Sequence, residues 1–168
     1  MRILGVCGSL QAESTNRTLL LRAAELAPPG VELEIFEGIG ALPLFNPDLE
    51  GEAKAPAVQA WRRALVECDA VLFASPEYGF SLPGALKNAI DWVIGTGELE
   101  GKLVGVTASA PYVGRGVKGL AALCITLGAV RARIVGGDPI VRGPGFDDEL
   151  RVLMEALRDR GSRGASPE

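Results

Sequence analysis

The hydrophobic pattern of the chain alternates between two periods. Short apolar runs, such as Ile3 to Cys7 and Ala70 to Ala74, predict strands that are buried on both faces of a sheet. Between such runs, apolar residues recur every three or four positions, which predicts amphipathic helices. The predicted strands are Ile3 to Cys7, Val31 to Phe36, Ala70 to Ala74, Leu103 to Ala108 and Ala132 to Val135. The predicted helices begin near Thr15, Pro56, Leu82, Leu120 and Asp147, and the third runs to Ile94.

This alternation of strands and helices predicts an α/β protein. Strands buried on both faces require a parallel sheet with helices on each side. Right-handed crossovers leave a flavodoxin-like or a Rossmann-like winding, and both bind ligands beyond the carboxyl ends of the strands. We expect one domain over residues 1–160, a frayed tail from Gly161 to Glu168, and a long functional loop from Glu37 to Ala55.

Composition narrows the chemistry that such a fold could perform. The 168 residues include no histidine and 22 glycines. Without imidazole, the chain lacks the base of Ser-His-Asp and Cys-His mechanisms and the commonest ligand of zinc, so no metal site is predicted. The reaction is therefore expected to come from a bound cofactor, or from carboxylate, lysine or hydroxyl groups. The glycines indicate loops in which the backbone closely approaches a ligand.

Charge and cysteine usage favour a cytoplasmic protein. The net charge of −4 and the lack of a Lys/Arg run disfavour nucleic acid as a partner. Cys7, Cys68 and Cys124 are predicted to be small buried hydrophobic residues in a reducing compartment. The longest uncharged apolar stretch, between Lys118 and Arg131, is too short to span a bilayer, and the beginning of the sequence lacks the apolar stretch of a signal peptide. No membrane partner is therefore expected.

Three loops would lie at the carboxyl edge of the predicted sheet: Gly8 to Arg17, Ser75 to Pro83, and Ser109 to Gly116. The first carries small hydroxyl and amide side chains and leads directly into a helix, an arrangement that suits a phosphate group. A simpler alternative is that Ser14 caps the helix and Ser9 forms a turn.

Two common phosphate-binding motifs give weaker signals. A Walker loop is absent, because Thr96 occupies the position of its first glycine and Leu103 follows Lys102. The segment Gly114 to Gly119 spells G-x-G-x-x-G before a helix, with Asp138 about 20 residues further on. Because the predicted strand ends at Ala108, these glycines lie too far from it for a dinucleotide-binding turn. A nucleotide-binding or regulatory site on this loop is kept as an alternative.

The loop from Ser75 to Pro83 is the most specific feature. Its proline, acid, aromatic residue and glycine form a fixed loop that could offer backbone donors and acceptors to the edge of a planar ring. The alternative is an ordinary turn between strand and helix, with Ser81 as the N-cap and Pro83 in the first helical turn.

The continuation of this loop resembles a family signature. The pattern Pro-Glu-Tyr-x-x-Ser-x-Pro-Gly-x-Leu-Lys-Asn-Ala-Ile-Asp-Trp, beginning at Pro76, is similar to that of the NADPH-dependent FMN reductases, which include flavodoxin-like chromate, quinone and azo reductases. The first loop resembles the family's Gly-Ser-Leu-Arg-x-x-Ser-x-Asn, and Leu44 to Leu49 also resembles family sequence. The resemblance extends from Ile3 to roughly Arg158. It implies a flavodoxin-like, doubly wound sheet of five parallel strands in the order 2-1-3-4-5, with helices on both faces.

The resemblance also implies an activity. It implies an NAD(P)H-dependent, FMN-containing oxidoreductase that passes a hydride from nicotinamide through flavin N5 to a quinone, azo, metal-ion or free-flavin acceptor. The cofactor would be FMN, and the co-substrate NADPH or NADH. No catalytic side chain is assigned, because the reactive atom belongs to the flavin. The helix from Leu82 to Ile94 would pack in a homodimer or homotetramer.

The implied cofactor-binding residues lie on all three loops. The FMN phosphate is implied to contact Ser9, Ser14 and Asn16, with Gln11, Thr15 and Arg17 beside them. The isoalloxazine edge is implied to contact Pro76, Glu77, Tyr78, Gly79 and Phe80. The other side of the flavin is implied to contact Ser109 and the loop that begins at Gly114.

Two positions depart from the family pattern. Gln11 occupies a position where the family usually has arginine, and Gly79 one where asparagine is more frequent. Arg17 or Arg115 would have to supply the missing charge. The alternatives in function are a flavodoxin-type electron carrier, or FMN-binding module, without NAD(P)H turnover, and an FMN reductase that releases reduced FMN to a partner enzyme.

Overall fold

Five strands and five helices alternate along the part of the chain that the computed structural model describes, residues 1–49 and 55–163. The strands are β1 (Arg2–Cys7), β2 (Glu32–Phe36), β3 (Ala70–Ala74), β4 (Leu103–Ala110) and β5 (Arg133–Val141). The helices are α1 (Thr15–Glu25), α2 (Pro56–Glu67), α3 (Gly84–Asp91), α4 (Val117–Ala129) and α5 (Phe146–Arg163). Two short 3-10 helices, Ile39–Ala41 and Pro47–Leu49, lie in the loop after β2.

The sheet has the strand order β2-β1-β3-β4-β5, and all neighbouring strands are parallel. The flavodoxin-like winding is therefore confirmed, whereas the Rossmann-like alternative, with its order 3-2-1-4-5-6, is wrong for this chain. Because all strands run in one direction, the loops that follow β1, β3 and β4 meet at a single edge of the sheet.

The sheet separates two hydrophobic layers. On one face, Trp61 of α2 and Leu86 of α3 are fully buried against the central strands. On the other face, Leu19 of α1 and Leu157 of α5 are equally buried. Each such side chain contributes about 1.5–3 kcal/mol relative to its exposed state. The Trp61 indole Nε1 also donates a hydrogen bond of 2.8 Å to the carbonyl of Ala89, which joins α2 to α3.

Helix α3 is shorter than its apolar spacing predicted. It begins at Gly84 with Pro83 at the N-cap, so the assignment of Ser81 as N-cap is wrong. Ser81 instead forms a bridge with Tyr78, which keeps its backbone extended before the helix. At the other end the chain continues in turns, and Gly97, with a φ of +79°, donates to the carbonyl of Val93 at 3.0 Å.

Strands β4 and β5 are longer than predicted. The prediction ended β5 at Val135, and two glycines and a proline occur among the next four residues. Gly136 and Gly137 adopt positive φ values of +77° and +117°, and the register with β4 shifts at this point, so the strand bulges and then continues. Pro139 is tolerated because β5 is an edge strand.

The structure describes the carboxyl-terminal end and the long loop only in part. Gly161–Arg163 belong to α5 rather than to a frayed tail, while residues 164–168 lie outside the described residues. Residues 50–54 of the loop predicted from Glu37 to Ala55 also lie outside them. Among the described helices, none combines the length and apolar character needed to cross a bilayer.

Candidate functional site

Direct side-chain contacts join the three loops at the carboxyl edge of the sheet. Asn16 Oδ1 accepts a hydrogen bond of 2.9 Å from the backbone N–H of Ser109, which links the start of α1 to the end of β4. Ser9 Oγ lies 3.3 Å from the Tyr78 hydroxyl, which links the first loop to the loop after β3. The structure therefore joins the three loops through two pairs of predicted site residues, Asn16 with Ser109 and Ser9 with Tyr78.

The first loop leaves the amino end of α1 without a side-chain cap. Ser14 occupies the N-cap position and is 4% exposed, yet within the described residues its side chain makes no capping hydrogen bond. Its Oγ lies 3.5 Å from Cys7 Sγ instead. The interpretation of Ser14 as a side-chain cap is therefore wrong, and the first-turn amide groups of α1 are left for another acceptor. Ser9 does form the expected turn, since its Oγ accepts from the Gln11 amide at 3.2 Å.

Asn16 has a structural role that local sequence analysis missed. Its side chain is buried, and its carboxamide oxygen satisfies the Ser109 amide. The amide nitrogen is therefore the group that Asn16 can offer to a ligand. The contact joins residues 93 positions apart, so no local pattern could have indicated it.

The loop after β3 contains a tight turn with a strained residue. Tyr78 and Ser81 exchange two backbone hydrogen bonds of 3.0 Å, and the two residues between them have positive φ values, +57° at Gly79 and +61° at Phe80. This is type I′ geometry. Phenylalanine in the left-handed region costs about 1–2 kcal/mol. The turn leaves Tyr78 and Phe80 52% and 64% exposed at the rim of the site.

The carboxylate of Glu77 points into the protein. Its Oε2 accepts from the Gly119 amide at 3.0 Å, and its Oε1 accepts from Arg115 Nη1 at 3.2 Å. Gly119 lies in the first turn of α4, so Glu77 caps that helix from a neighbouring loop. A Cβ at Gly119 would lie 2.9 Å from the Glu77 Cα, which requires glycine at this position.

The G-x-G-x-x-G segment gains a structural explanation from this contact. Gly114 and Gly116 have φ values of +88° and +94°, and Gly119 provides the close approach to Glu77. Because β4 continues to Ala110, the segment begins four residues after the end of the strand rather than six. Asp138 lies within the bulged part of β5, where its carbonyl accepts from Thr107 Oγ1 at 3.1 Å.

The signature downstream of the turn anchors the long loop. Asn88 and Trp92 of the α3 region both donate to the carbonyl of Pro43, at 2.9 and 2.7 Å. The Phe45 amide in turn donates to Asn88 Oδ1 at 2.8 Å. The Asn and Trp of the signature therefore position the loop after β2.

The rim of the site is largely aromatic and apolar. Lys118 Nζ lies 3.9 Å from the centroid of the Phe80 ring, which holds this cation over the exposed aromatic face. Other large exposed apolar side chains lie on the same loops: Leu10, Tyr112 and Val113. Such a rim, with backbone donors beneath it, suits a planar ring system.

The two arginines expected to replace the missing charge at Gln11 are already paired. Arg17 Nε and Nη2 lie 3.0 and 2.6 Å from Glu37 Oε1, and this hydrogen bond raises the pKa of Arg17. Arg115 is bound to Glu77. Neither guanidinium reaches a new anion without sharing or breaking its present contact.

The cysteines behave mostly as predicted. Cys7 and Cys68 are buried, but Cys124 is only half-buried, contrary to expectation. Burial raises the pKa of Cys68 and of Cys124, so both thiols stay protonated near neutral pH and are poor nucleophiles.

Sequence comparisons match one family over most of the chain. The family model described as NADPH-dependent FMN reductase matches residues 1–143. An NAD(P)H-dependent FMN reductase of Pseudomonas aeruginosa is 44% identical over 92 residues, which cover 55% of this chain and 49% of the relative. An NAD(P)H:quinone oxidoreductase of Solanum tuberosum is 46% identical over 96 residues, with the same two coverages of 55% and 49%. The chain thus spans about half the length of the curated relatives it matches.

Structural comparisons agree with the fold. A flavoenzyme NAD(P)H:(acceptor) oxidoreductase from Paracoccus denitrificans superposes with a TM-score of 0.84 at 27% identity, covering 96% of this chain and 97% of that one. An azoreductase from Bacillus anthracis superposes with a TM-score of 0.61 at 16% identity, covering 98% of each chain, and this likeness concerns the fold alone.

Proposed function

The chain belongs to the NADPH-dependent FMN reductase family, and from this premise we propose that it is an FMN-containing oxidoreductase that uses NADPH or NADH to reduce a small-molecule acceptor. The observation that carries the proposal is the direct contact between the first loop and the aromatic turn, the 3.3 Å approach of Ser9 Oγ to the Tyr78 hydroxyl. It joins the loop that leads into α1 to the turn that carries the exposed aromatic residues, and a flavin nucleotide would lie across these two segments.

The first loop fits the phosphate end of FMN. The uncapped amides of α1 carry the partial positive charge of a helix amino end, which favours a phosphate. The polar residues that would surround the phosphate are Ser9, Gln11, Ser14, Thr15, Asn16 and Arg17. Since Arg17 is bound to Glu37, the phosphate would be held mainly by neutral hydrogen bonds and the helix dipole.

The two other loops fit the ring end. Pro76 and Glu77 would contribute backbone groups, because the Glu77 carboxylate is occupied by Gly119 and Arg115. Tyr78, Gly79 and Phe80 would form the exposed wall. The opposite wall would consist of Ser109 and the loop that begins at Gly114.

The absence of histidine is compatible with this activity. FMN, when bound, supplies the capacity to take up and release a hydride, so no imidazole base is required. The chain's own task is to bind and orient: Asn16 fixes the end of β4 against α1, and Glu77 fixes the aromatic turn against α4. The apolar rim would exclude water from one side of the ring while the other stays accessible to nicotinamide and acceptor.

The setting of the activity is part of the proposal. The acceptor would be a quinone, azo compound, metal ion or free flavin, and the names of two relatives, an FMN reductase and a quinone oxidoreductase, support the flavin and quinone acceptors. The net charge of −4 supports small molecules rather than nucleic acid as partners. We place the protein in the cytoplasm as a homodimer or homotetramer associating through the α3 region, where Ile94 is 53% exposed.

A visible absorption spectrum of the purified full chain, with and without added FMN, tests the proposal directly. We expect a flavin spectrum that survives desalting and bleaches when NADPH or NADH is added, followed by continuous NAD(P)H oxidation once a quinone is supplied. A protein that binds no FMN would overturn the proposal. FMN binding without NAD(P)H turnover would instead support the electron-carrier alternative.

A further inference from the structure

A cavity of about 470 Å³ lies beside the first loop, on the face of the sheet that α1 and α5 cover. Thr15, which borders the proposed flavin phosphate, lines this cavity, and so does Ser109, which the proposal assigns to the wall of the flavin ring. Its far wall is formed by the segment after β5, including Arg142, Gly145 and Phe146. The cavity therefore borders the phosphate end of the proposed flavin site, and none of residues 76–81 of the aromatic turn lines it.

The charges around the cavity leave one unneutralised cation. Asp147 and Asp148 line it, but Asp147 is bound to Arg22 at 2.6 Å and Asp148 to Arg151 at 3.0 Å. Arg142, by contrast, has no ion pair within residues 1–49 and 55–163. The cavity is thus predisposed to an anionic group near Arg142.

The backbone around Arg142 allows a ligand to come close. The Arg142 amide donates to the Ala110 carbonyl at 2.9 Å, which holds this residue next to Ser109 and the end of β4. The glycines that follow, Gly143 and Gly145, have φ values of +137° and +90° and face space with no heavy atom within 4 Å of where a Cβ would lie. A ligand can therefore contact the main chain there without displacing side chains.

The size and lining of the cavity indicate the class of ligand. A volume of about 470 Å³ is more than a single phosphate group fills and lies within the range of small-molecule sites, about 300–1,000 Å³. The half-buried Phe146 ring offers an aromatic wall, and the side chains of Thr15 and Thr18 carry hydroxyl groups. A heterocyclic base would match the Phe146 ring, a sugar would match the threonine side chains, and a phosphate group would match the charge of Arg142.

We propose that this cavity binds the adenylate end of a dinucleotide, with the Arg142 guanidinium on its phosphate. The inference rests on the proposed function in one respect, because it takes the flavin phosphate to lie beside Thr15. The same adenosine diphosphate group occurs in FAD and in NAD(P)H, so the cavity would serve either a flavin dinucleotide or the nicotinamide co-substrate.

Titration of the full-length protein with ADP tests the site by calorimetry. We expect saturable binding that Arg142→Gln weakens about tenfold or more, since a charge-assisted hydrogen bond to phosphate is lost, and that Arg142→Lys weakens less. Arg133→Gln is the matched control, because it removes the same charge from the opposite end of β5, and we expect its affinity within about twofold of wild type. No saturable ADP binding, or equal losses for Arg133→Gln and Arg142→Gln, would overturn the proposal.

Two further arms separate the sources of the adenylate. If the ligand is a flavin dinucleotide, the wild type binds FAD more tightly than FMN, and Arg142→Gln removes this preference. If it is the nicotinamide co-substrate, Arg142→Gln raises the KM for NAD(P)H about tenfold while the FMN affinity changes much less. If neither quantity responds, the cavity serves no dinucleotide and the proposal is overturned.

These experiments distinguish a failure of the adenylate site from a failure of the proposed reductase function. A wild type that binds FMN and oxidises NAD(P)H but does not bind ADP would remove only the adenylate site. A wild type that binds ADP in an Arg142-dependent manner but neither binds FMN nor oxidises NAD(P)H would remove only the reductase activity.

Discussion

The Glu77 carboxylate accepts a hydrogen bond of 3.0 Å from the backbone N–H of Gly119. This contact ties the loop after β3 to the first turn of α4, two segments that both border the proposed flavin ring. It gives the buried acid of the Pro-Glu-Tyr motif a positioning role, and it explains why a glycine stands in the helix facing it.

Replacing Gly119 by alanine should therefore displace the aromatic turn. The new Cβ would lie 2.9 Å from both Cα and Cβ of Glu77, so the loop must shift. We expect a loss of about 1–3 kcal/mol in the free energy of unfolding, measured in urea, together with weaker FMN binding. Gly128→Ala is the control, because it lies in the same helix with no heavy atom near its Cβ position, and it should stabilise the protein by about 0.5–1 kcal/mol. Equal effects of the two substitutions would contradict the packing argument.

Asn16 should show separable effects on folding and on cofactor binding. Asn16→Ala leaves the Ser109 amide without its acceptor, which should cost about 1–3 kcal/mol of folding free energy and also weaken FMN binding. Asn16→Asp keeps an acceptor at that distance but replaces the amide nitrogen with a charge facing the phosphate. It should therefore retain more of the folding free energy while binding FMN at least as poorly as the alanine variant. Unchanged FMN affinity in both variants would refute a phosphate role for Asn16.

The turn at Gly79 should tolerate asparagine and reject valine. With a φ of +57° and no heavy atom within 4 Å of a Cβ, this position is limited by backbone conformation rather than by space. Asparagine adopts the left-handed region at little cost, whereas a β-branched residue does not. The free energy of unfolding of Gly79→Asn should thus lie within about 0.5 kcal/mol of the wild-type value, whereas that of Gly79→Val should be about 1–2 kcal/mol lower. Urea unfolding measures both. If Gly79→Asn were clearly destabilised, the side chain at position 79 would be limited by space, which would contradict this argument.

The pairing of Asp147 with Arg22 should make stability depend on acid pH. The hydrogen bond from Arg22 lowers the pKa of Asp147 below that of the unfolded chain, about 3.9. The contribution is therefore complete above the unfolded pKa and is lost as the pH falls through the lower folded value. In urea unfolding from pH 7 down to pH 2, Asp147→Asn and Arg22→Gln should each flatten the acid limb of the stability curve. The double variant should differ little from Arg22→Gln alone, because that substitution already removes the Asp147 pair together with the contact between Arg22 and Glu25.

The sequence predicted the bounds of a strand well where all of its residues are apolar, and poorly where they are not. Strand β3 was predicted with its observed bounds because all its residues, Ala70–Ala74, are apolar and buried. The second half of β5 was missed because Gly136, Gly137 and Pro139 usually terminate strands. Here the bulge and the edge position, both properties of the assembled sheet, reverse that local preference.

The sequence located the candidate loops at the carboxyl edge of the sheet, but it did not indicate where their polar side chains point. Family resemblance named Glu77 and Asn16 as ligand contacts, and both do lie at the carboxyl edge of the sheet. Their polar atoms are nevertheless engaged by Gly119 and Ser109, on segments distant in the chain. Such contacts arise only when the loops converge, so local motifs do not encode them.

Gln11→Arg tests how the phosphate is held. Gln11 is exposed on the first loop, and the neighbouring Arg17 is bound to Glu37, so the phosphate end lacks a free guanidinium from this loop. A new charge there should contribute about 1 kcal/mol of attraction in water, which corresponds to about fivefold tighter FMN binding, more at low salt. Riboflavin, which lacks the phosphate, is the control ligand and should gain nothing. Because the attraction acts on the phosphate alone, an equal gain for riboflavin and FMN in a fluorescence titration would mean that residue 11 contacts the ring or ribityl chain instead.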